Sequence, residues 1–179
     1  MTLLSVGAEN KKHPPSAYRL GVGMMVFNHQ GHVFCGQRHD AKDDIWQMPQ
    51  GGVDDNEHPL NAAVRELGEE TGMASLVLLC ESSRWYRYDL PSRLRGNVWN
   101  GRYRGQQQKW FAFHFVGDES EITLDAHAPA EFRAYKWASL DYLLQHVIDF
   151  KKTLYENVYG EFKHHKHLQK PPYCDAFSF

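Results

Sequence analysis

Hydrophobic residues recur in two rhythms along this chain. Leu20 to Phe27 is an apolar run punctuated by Gly21 and Gly23, which predicts a buried strand. Asn28-His29-Gln30-Gly31 is turn chemistry, and His32 to Arg38 reads as the returning strand. His39 to Asp44 is a polar loop, and Trp46 to Gly52 leads out of it. The rhythm then changes. Leu60, Val64 and Leu67 recur at helical spacing, Ala62 and Ala63 favour helix, Pro59 suits a first turn and Gly72 a stop. A helix over 59–71 is predicted. Leu76 to Cys80 and Arg84 to Tyr88 return to strand character, and Leu90 to Gln107 reads as a basic, glycine-bearing loop. Strands are predicted from Lys109 to Val116 and from Phe132 to Trp137. Leu140, Leu143, Leu144 and Val147 give one helical face, and Phe150, Leu154, Val158 and Phe162 another. Strands mixed with three helices, with no internal repeat, predict an α/β domain: a mixed sheet with helices on both faces. Residues 1–17 read as a flexible arm, 18–163 as the domain, and 164–179 as a tail rich in His, Lys and Pro.

Composition narrows the class. The chain has 179 residues, 42% hydrophobic and 13% aromatic, enough for one folded domain. A formal net charge of −2 excludes binding to DNA through overall positive charge, so a polyanion must be held by local basic groups and bound cations. No segment has the length and apolarity of a membrane span or signal peptide, so the expected location is the cytoplasm, with no membrane partner. Cys35, Cys80 and Cys174 are widely spaced and odd in number, which argues against a disulfide framework. Cys35 and Cys80 read as reduced core residues.

The chemistry concentrates in Gly51-Gly52-Val53-Asp54-Asp55-Asn56-Glu57 and Arg65-Glu66-Leu67-Gly68-Glu69-Glu70-Thr71-Gly72-Met73. On a helix Glu66, Glu69 and Glu70 stand at i, i+3 and i+4, stacked on one face with Cβ atoms about 5–6 Å apart. Like charges that close repel unless a cation sits between them, and an all-oxygen donor set selects a hard ion such as Mg²⁺, with Mn²⁺ as a substitute. Glu57 precedes the helix and Arg65 faces away from Glu66, so an ion pair between Glu57 and Arg65 is expected to pin the loop. Gly51 lets the backbone come close and offers its carbonyl. Three such glutamates alone would more readily describe a solvated helix face.

The complete pattern decides the matter. Gly51, five residues, Glu57, seven residues, then Arg-Glu-Leu-x-Glu-Glu-x-Gly-Met resembles the Nudix box in full. The resemblance implies the Nudix fold, an α/β/α sandwich, and hydrolysis of a phosphoanhydride in a nucleotide-containing substrate. It also implies that Glu66, Glu69 and Glu70 bind about two to three divalent ions once substrate is present. Likeness continues through Tyr18-Arg19, Gly21-Val22-Gly23, Trp46 to Gly52, Trp85 to Pro91, Gly105 to Phe111 and Phe150-Lys151-Lys152. These segments are similar to bacterial RNA pyrophosphohydrolases and to the related dinucleoside polyphosphate hydrolases. The implied substrates are 5′-triphosphorylated RNA or a dinucleoside polyphosphate such as diadenosine tetraphosphate, and a monomer is expected.

By the same resemblance Arg19, Arg38 and Lys151 match positions that contact RNA or phosphate, and Tyr88 and Phe150 match positions that flank a base. Lys109 joins Arg19, Arg38 and Lys151 as a dispersed cation that folding could gather around phosphates. Phe150 also lies on the Leu154–Val158–Phe162 face, so a core role competes. Trp46, Trp85 and Trp110 read as core, Glu119 and Glu121 as surface, and His164, His165 and His167 as a solvated tract. Glu131, in Ala130-Glu131-Phe132, matches an extra metal ligand or base outside the box. Glu66 or Glu70 is expected at the attacking water, with Glu131 as the rival base. A Nudix-fold module that binds without cutting is the reading from another class; it would show an incomplete carboxylate set.

Overall fold

The computed structural model describes residues 17–42, 44–125 and 127–167. Nearly all of the expected arm, the tail beyond residue 167 and Cys174 lie outside the described residues. Seven strands form one mixed sheet: β1 (Tyr18–Phe27), β2 (Val33–Arg38), β3 (Gln50–Gly52), β4 (Leu76–Glu81), β5 (Tyr86–Asp89), β6 (Gly105–Phe115) and β7 (Phe132–Ala138). Their order is β4-β6-β1-β2-β7, with β3 against β1 and β5 against β6. β1 and β6 pair in parallel from Tyr18 opposite Gly105 to Phe27 opposite His114; the other pairings are antiparallel.

Strand alternation sends successive side chains to opposite layers. Val22, Met24, Val26, Phe111 and Phe113 meet Ala62, Ala63 and Leu67 of helix α1 (Pro59–Thr71). Met25, Phe27, Trp110 and Ala112 meet Leu143 of α3 (Leu140–His146) and Leu154, Tyr155, Val158 and Phe162 of α4 (Asp149–Phe162). Trp46 and Trp110 are buried in this second layer, as expected. Cys35 is fully buried there, and burial pushes its thiol up to about 12, which suits an inert core residue. The α/β/α arrangement read from the sequence is the observed one.

Two expectations need correction. The loop predicted from Leu90 to Gln107 holds a fourth helix, the single turn α2 (Ser92–Arg95), and its end is already strand, because β6 begins at Gly105. Polarity hid that strand: Gln106 and Gln108 point inward yet are buried at 2% and 0% exposure, where Gln106 Oε1 accepts from the Tyr88 hydroxyl and from the Gln108 side-chain amide. Glu121 is half-buried rather than a plain surface residue, accepting hydrogen bonds from the Ser75 hydroxyl at 2.8 Å and its amide at 3.1 Å.

Candidate active site

Helix α1 starts at His58, whose Nδ1 accepts the Leu60 amide, and Pro59 fills its first turn. It stops at Gly72, whose φ of 71° is the left-handed cap conformation and whose N–H reaches Gly68 O. The expected ion pair is present and bidentate: Arg65 Nε and Nη2 each lie 2.9 Å from a Glu57 oxygen. Arg65 also donates to the Gly52 carbonyl at 3.1 Å, so the clamp holds the strand end as well as the loop. The Arg65 hydrogen bonds, then the Asp54 amide, bring the Glu57 carboxyl down from 4.5 to about 2. Arg65 does not turn away from Glu66, contrary to expectation. Its flexible side chain curls back to 3.1 Å from Glu66 Oε1, because the guanidinium sits several bonds from the helix axis.

The three glutamates differ in environment. Glu66 accepts the Gly52 amide at 2.9 Å, and a Cβ on Gly51 would collide with its carboxyl, so only glycine allows this approach. Burial raises the Glu66 pKa, opposed by Arg65. Glu70 is 3% exposed. Its Oε2 accepts the Gln50 amide at 3.2 Å, and its buried Oε1 has no hydrogen-bond partner among the described residues. Burial, then the neighbouring Glu66, lift the Glu70 pKa well above the carboxylate range, against the Gln50 amide, Arg38 and Lys151. Glu69 is more exposed and is drawn to Arg65 at 3.4 Å. The carboxylates are therefore not yet converged: among the described residues no group of three or more His, Cys, Asp or Glu side chains stands ready to hold a metal. Glu66 and Glu70 still fit a hard divalent ion, since a buried, unpartnered carboxylate oxygen beside a second carboxylate is an oxygen-donor site that a cation would satisfy.

Opposite α1, helix α4 supplies a buried cation. Lys151 is 5% exposed, on the same stripe as Tyr155, Val158 and Phe162. Its Nζ donates to Gln50 Oε1 at 3.0 Å and Gln47 Oε1 at 3.2 Å. Burial, then Arg38, lower its pKa to about 7, against Glu70 and Asp40. Gln108 reaches Gln50 at 3.3 Å and Gln106 at 2.8 Å, and the Tyr88 hydroxyl donates to Gln106 at 2.6 Å. These glutamines form a floor that links all three layers. Sequence reading missed Gln47, Gln50, Gln106 and Gln108 as site residues. The available signal was polarity at inward strand positions: Gln106 and Gln108 share a face with Trp110 and Ala112.

The remaining expected residues divide. Arg38 lies beside Asp40 and pairs closely with Glu131, and these residues line a cleft of about 290 Å³ with His39, Pro129 and Ala130. Glu131 is thus at the cleft, engaged by a guanidinium. Arg19 lies against Gly52 and over the Trp99 ring at 5.5 Å. Phe150 packs on Tyr88 with ring centroids 5.7 Å apart. Tyr88, 8% exposed, has no open face for a base and instead supports Phe150 and Gln106, leaving Phe150 as the ring nearer the rim. Lys109 is not brought to the cluster. Strand alternation sends it to the opposite face of β6 from Gln106 and Gln108, where it donates to the Ser82 carbonyl and lies 3.5 Å from Glu81.

Comparison with known proteins agrees with this fold. The family model described as NUDIX domain matches residues 17–158. A protein of Agrobacterium fabrum named RNA pyrophosphohydrolase is 49% identical over 158 residues, 82% of this chain and 92% of that protein. One of Rickettsia africae with the same name is 47% identical over 154 residues, 86% of this chain and 95% of its own. Among solved structures, the E. coli dihydroneopterin triphosphate pyrophosphohydrolase superposes with a TM-score of 0.61 at 22% identity, covering 79% of this chain and 96% of that one. A C. elegans Ap4A hydrolase superposes at 0.58 and 17% identity, covering 82% and 98%. At those identities the structural likeness speaks for the fold alone.

Proposed function

The chain belongs to the Nudix family and is a pyrophosphohydrolase acting on phosphoanhydride bonds; from that premise we propose that its substrate is the 5′-triphosphate end of RNA, hydrolysed with Mg²⁺ to a 5′-monophosphate end and pyrophosphate. One observation carries the reading: the buried, unpartnered Glu70 oxygen beside Glu66 lies in the same polar cluster as Arg38 and Lys151. That arrangement pairs a site for divalent cations with side-chain cations for a phosphate chain. The names of the relatives favour RNA over a dinucleoside polyphosphate.

Glu66 and Glu70, with the Gly51 carbonyl and Glu69 once drawn in, would hold the ion. A divalent cation bound there would supply charge neutralisation to the phosphate oxygens and would make a neighbouring water more acidic. The chain's own residues account for the rest. The water oxygen bonds to the phosphorus nearest the nucleoside, the bond from that phosphorus to its bridging oxygen breaks, and pyrophosphate leaves. The water's proton passes to a carboxylate; Glu70, whose buried Oε1 is unpartnered among the described residues and stands beside Glu66, is the assigned acceptor. Glu131 is disfavoured because Arg38 engages it. Arg38 and Lys151 offset the charge on the departing oxygens, and the glutamine floor fixes Lys151 in place. Phe150 offers a ring at the rim to the first bases.

The test compares kcat/KM on a 5′-triphosphorylated oligonucleotide and on diadenosine tetraphosphate at the same Mg²⁺. The expected result is preference for the oligonucleotide, with pyrophosphate or phosphate released. Preference for diadenosine tetraphosphate would overturn the substrate assignment.

A further inference from the structure

The segment that joins β5 to β6, residues 90–104, contains four arginines and no acidic residue. Asp89 anchors it at both ends, pairing with Arg104 at 2.5 Å and Arg95 at 3.6 Å. Arg95 also donates to the Leu90 carbonyl at 2.8 Å. Arg93 and Arg102 are exposed and stand outside those Asp89 pairs. Between the anchors Trp99 and Asn100 adopt left-handed backbone, with φ of 51° and 56°. A bulky side chain is an outlier there and needs its surroundings to hold it. The Trp99 ring lies under the Arg19 guanidinium and edge-on to Tyr103 at 6.2 Å, and Arg102 sits over Tyr103 at 5.7 Å. Arg19 in turn lies against Gly52, at the head of the carboxylate segment. The strap thus runs outwards from Gly52 through Arg19, Trp99, Tyr103 and Arg102 as a series of ring and guanidinium contacts, with Arg93 and Arg102 at its exposed side.

We propose that Trp99, Tyr103, Arg93 and Arg102 form a track for single-stranded RNA just 3′ of the triphosphate. The inference rests on RNA being the substrate. Bases stack on the Trp99 and Tyr103 rings, which need unpaired nucleotides, and the following phosphodiesters meet Arg93 and Arg102. Acidic peptides share the charge but offer no flat rings in register with those aromatics.

The experiment uses the full chain and reads a ratio: kcat/KM on a short 5′-triphosphorylated oligonucleotide over kcat/KM on a nucleoside triphosphate. Trp99→Ala is expected to lower this ratio at least about fivefold, the factor for losing one base–aromatic stack. Trp99→Phe restores most of it. Should Trp99→Ala fold poorly, the doubly substituted Arg93→Gln, Arg102→Gln chain, altered only at exposed positions, serves in its place and is expected to lower the ratio as well. Fluorescence anisotropy with a 5′-hydroxyl oligonucleotide gives a second readout, in which the double variant binds more weakly and with a shallower salt dependence. An unchanged ratio, a Trp99→Phe chain no better than Trp99→Ala, or unchanged anisotropy overturns the track. If the unsubstituted chain leaves every triphosphorylated oligonucleotide intact, the substrate assignment falls, and the anisotropy series alone then decides for or against the track.

Discussion

Glu70 and Lys151, a carboxylate and a cation from helices on opposite faces of the sheet, are tied to the same residue. The Gln50 amide donates to Glu70 at 3.2 Å while the Gln50 side-chain oxygen accepts from Lys151 at 3.0 Å. The site is therefore held by both packed layers of the molecule, with a short strand as the fixed point between them.

Glu70→Gln should abolish most turnover and leave the fold intact. The amide keeps the shape and can still accept the Gln50 N–H, but it can neither take a proton nor hold a cation as a carboxylate does. A fall in kcat of at least ~100-fold is expected at saturating Mg²⁺, with an unchanged circular dichroism spectrum. Near-normal kcat would sink the assignment.

Millimolar Mg²⁺ should raise the melting temperature, because an ion that binds only the folded carboxylates stabilises that state by mass action. Glu66→Gln and Glu70→Gln should each shrink the shift. Thermal scans with and without chelator measure it; equal melting temperatures in both would count against the site.

Lys151→Met should raise stability while impairing catalysis. The Lys151 pKa falls from 10.5 to about 7 on folding, so the unfolded chain binds more protons between those values and stability rises with pH across that window. Below about 7 the native state carries the buried charge in full. The methionine variant should therefore melt at least ~2 °C higher than the parent at pH 6 in chelator, with the gap closing towards pH 10. A gap that does not depend on pH would mean that Lys151 is charged in the native state throughout.

Glu57→Gln should destabilise the chain at neutral pH by up to about 1 kcal/mol, the scale of a part-exposed ion pair. The Glu57 pKa is depressed from 4.5 to about 2, so its contribution is present above the upper value and lost as pH falls through the lower. Melting curves of parent and variant should converge between those limits. Parallel curves down to pH 2.5 would show that the Arg65 clamp does not depend on the Glu57 charge.

Much of this was legible in the sequence because it depends on short-range pattern. Pro59, Gly72 and the Leu60–Val64–Leu67 spacing give the bounds of α1, and the interval between Glu57 and Arg65 gives their pairing. What escaped depends on long-range packing. Gln106 falls in the predicted loop, yet Tyr88, 18 positions away, donates to it, and the side-chain amide of Gln108 on the same face reaches Gln50, 58 positions away. Lys109 looked like a phosphate ligand, yet one step along the strand from Gln108 puts it on the other face. The reach of Arg65 to Glu66 follows from side-chain length, which Cα spacing does not register.

A lysine whose proton is held only loosely near neutrality has one more consequence. At pH 7 the empty cluster contains Lys151 in both charged and uncharged forms. A polyphosphate entering it favours the charged form, so binding draws a proton from the buffer. Calorimetric titrations with a non-hydrolysable polyphosphate should then give heats that vary with the ionisation enthalpy of the buffer, and the dependence should vanish in Lys151→Met. The group that costs the empty fold stability is also the one that makes it sense, through the surrounding acidity, whether its anionic guest is present.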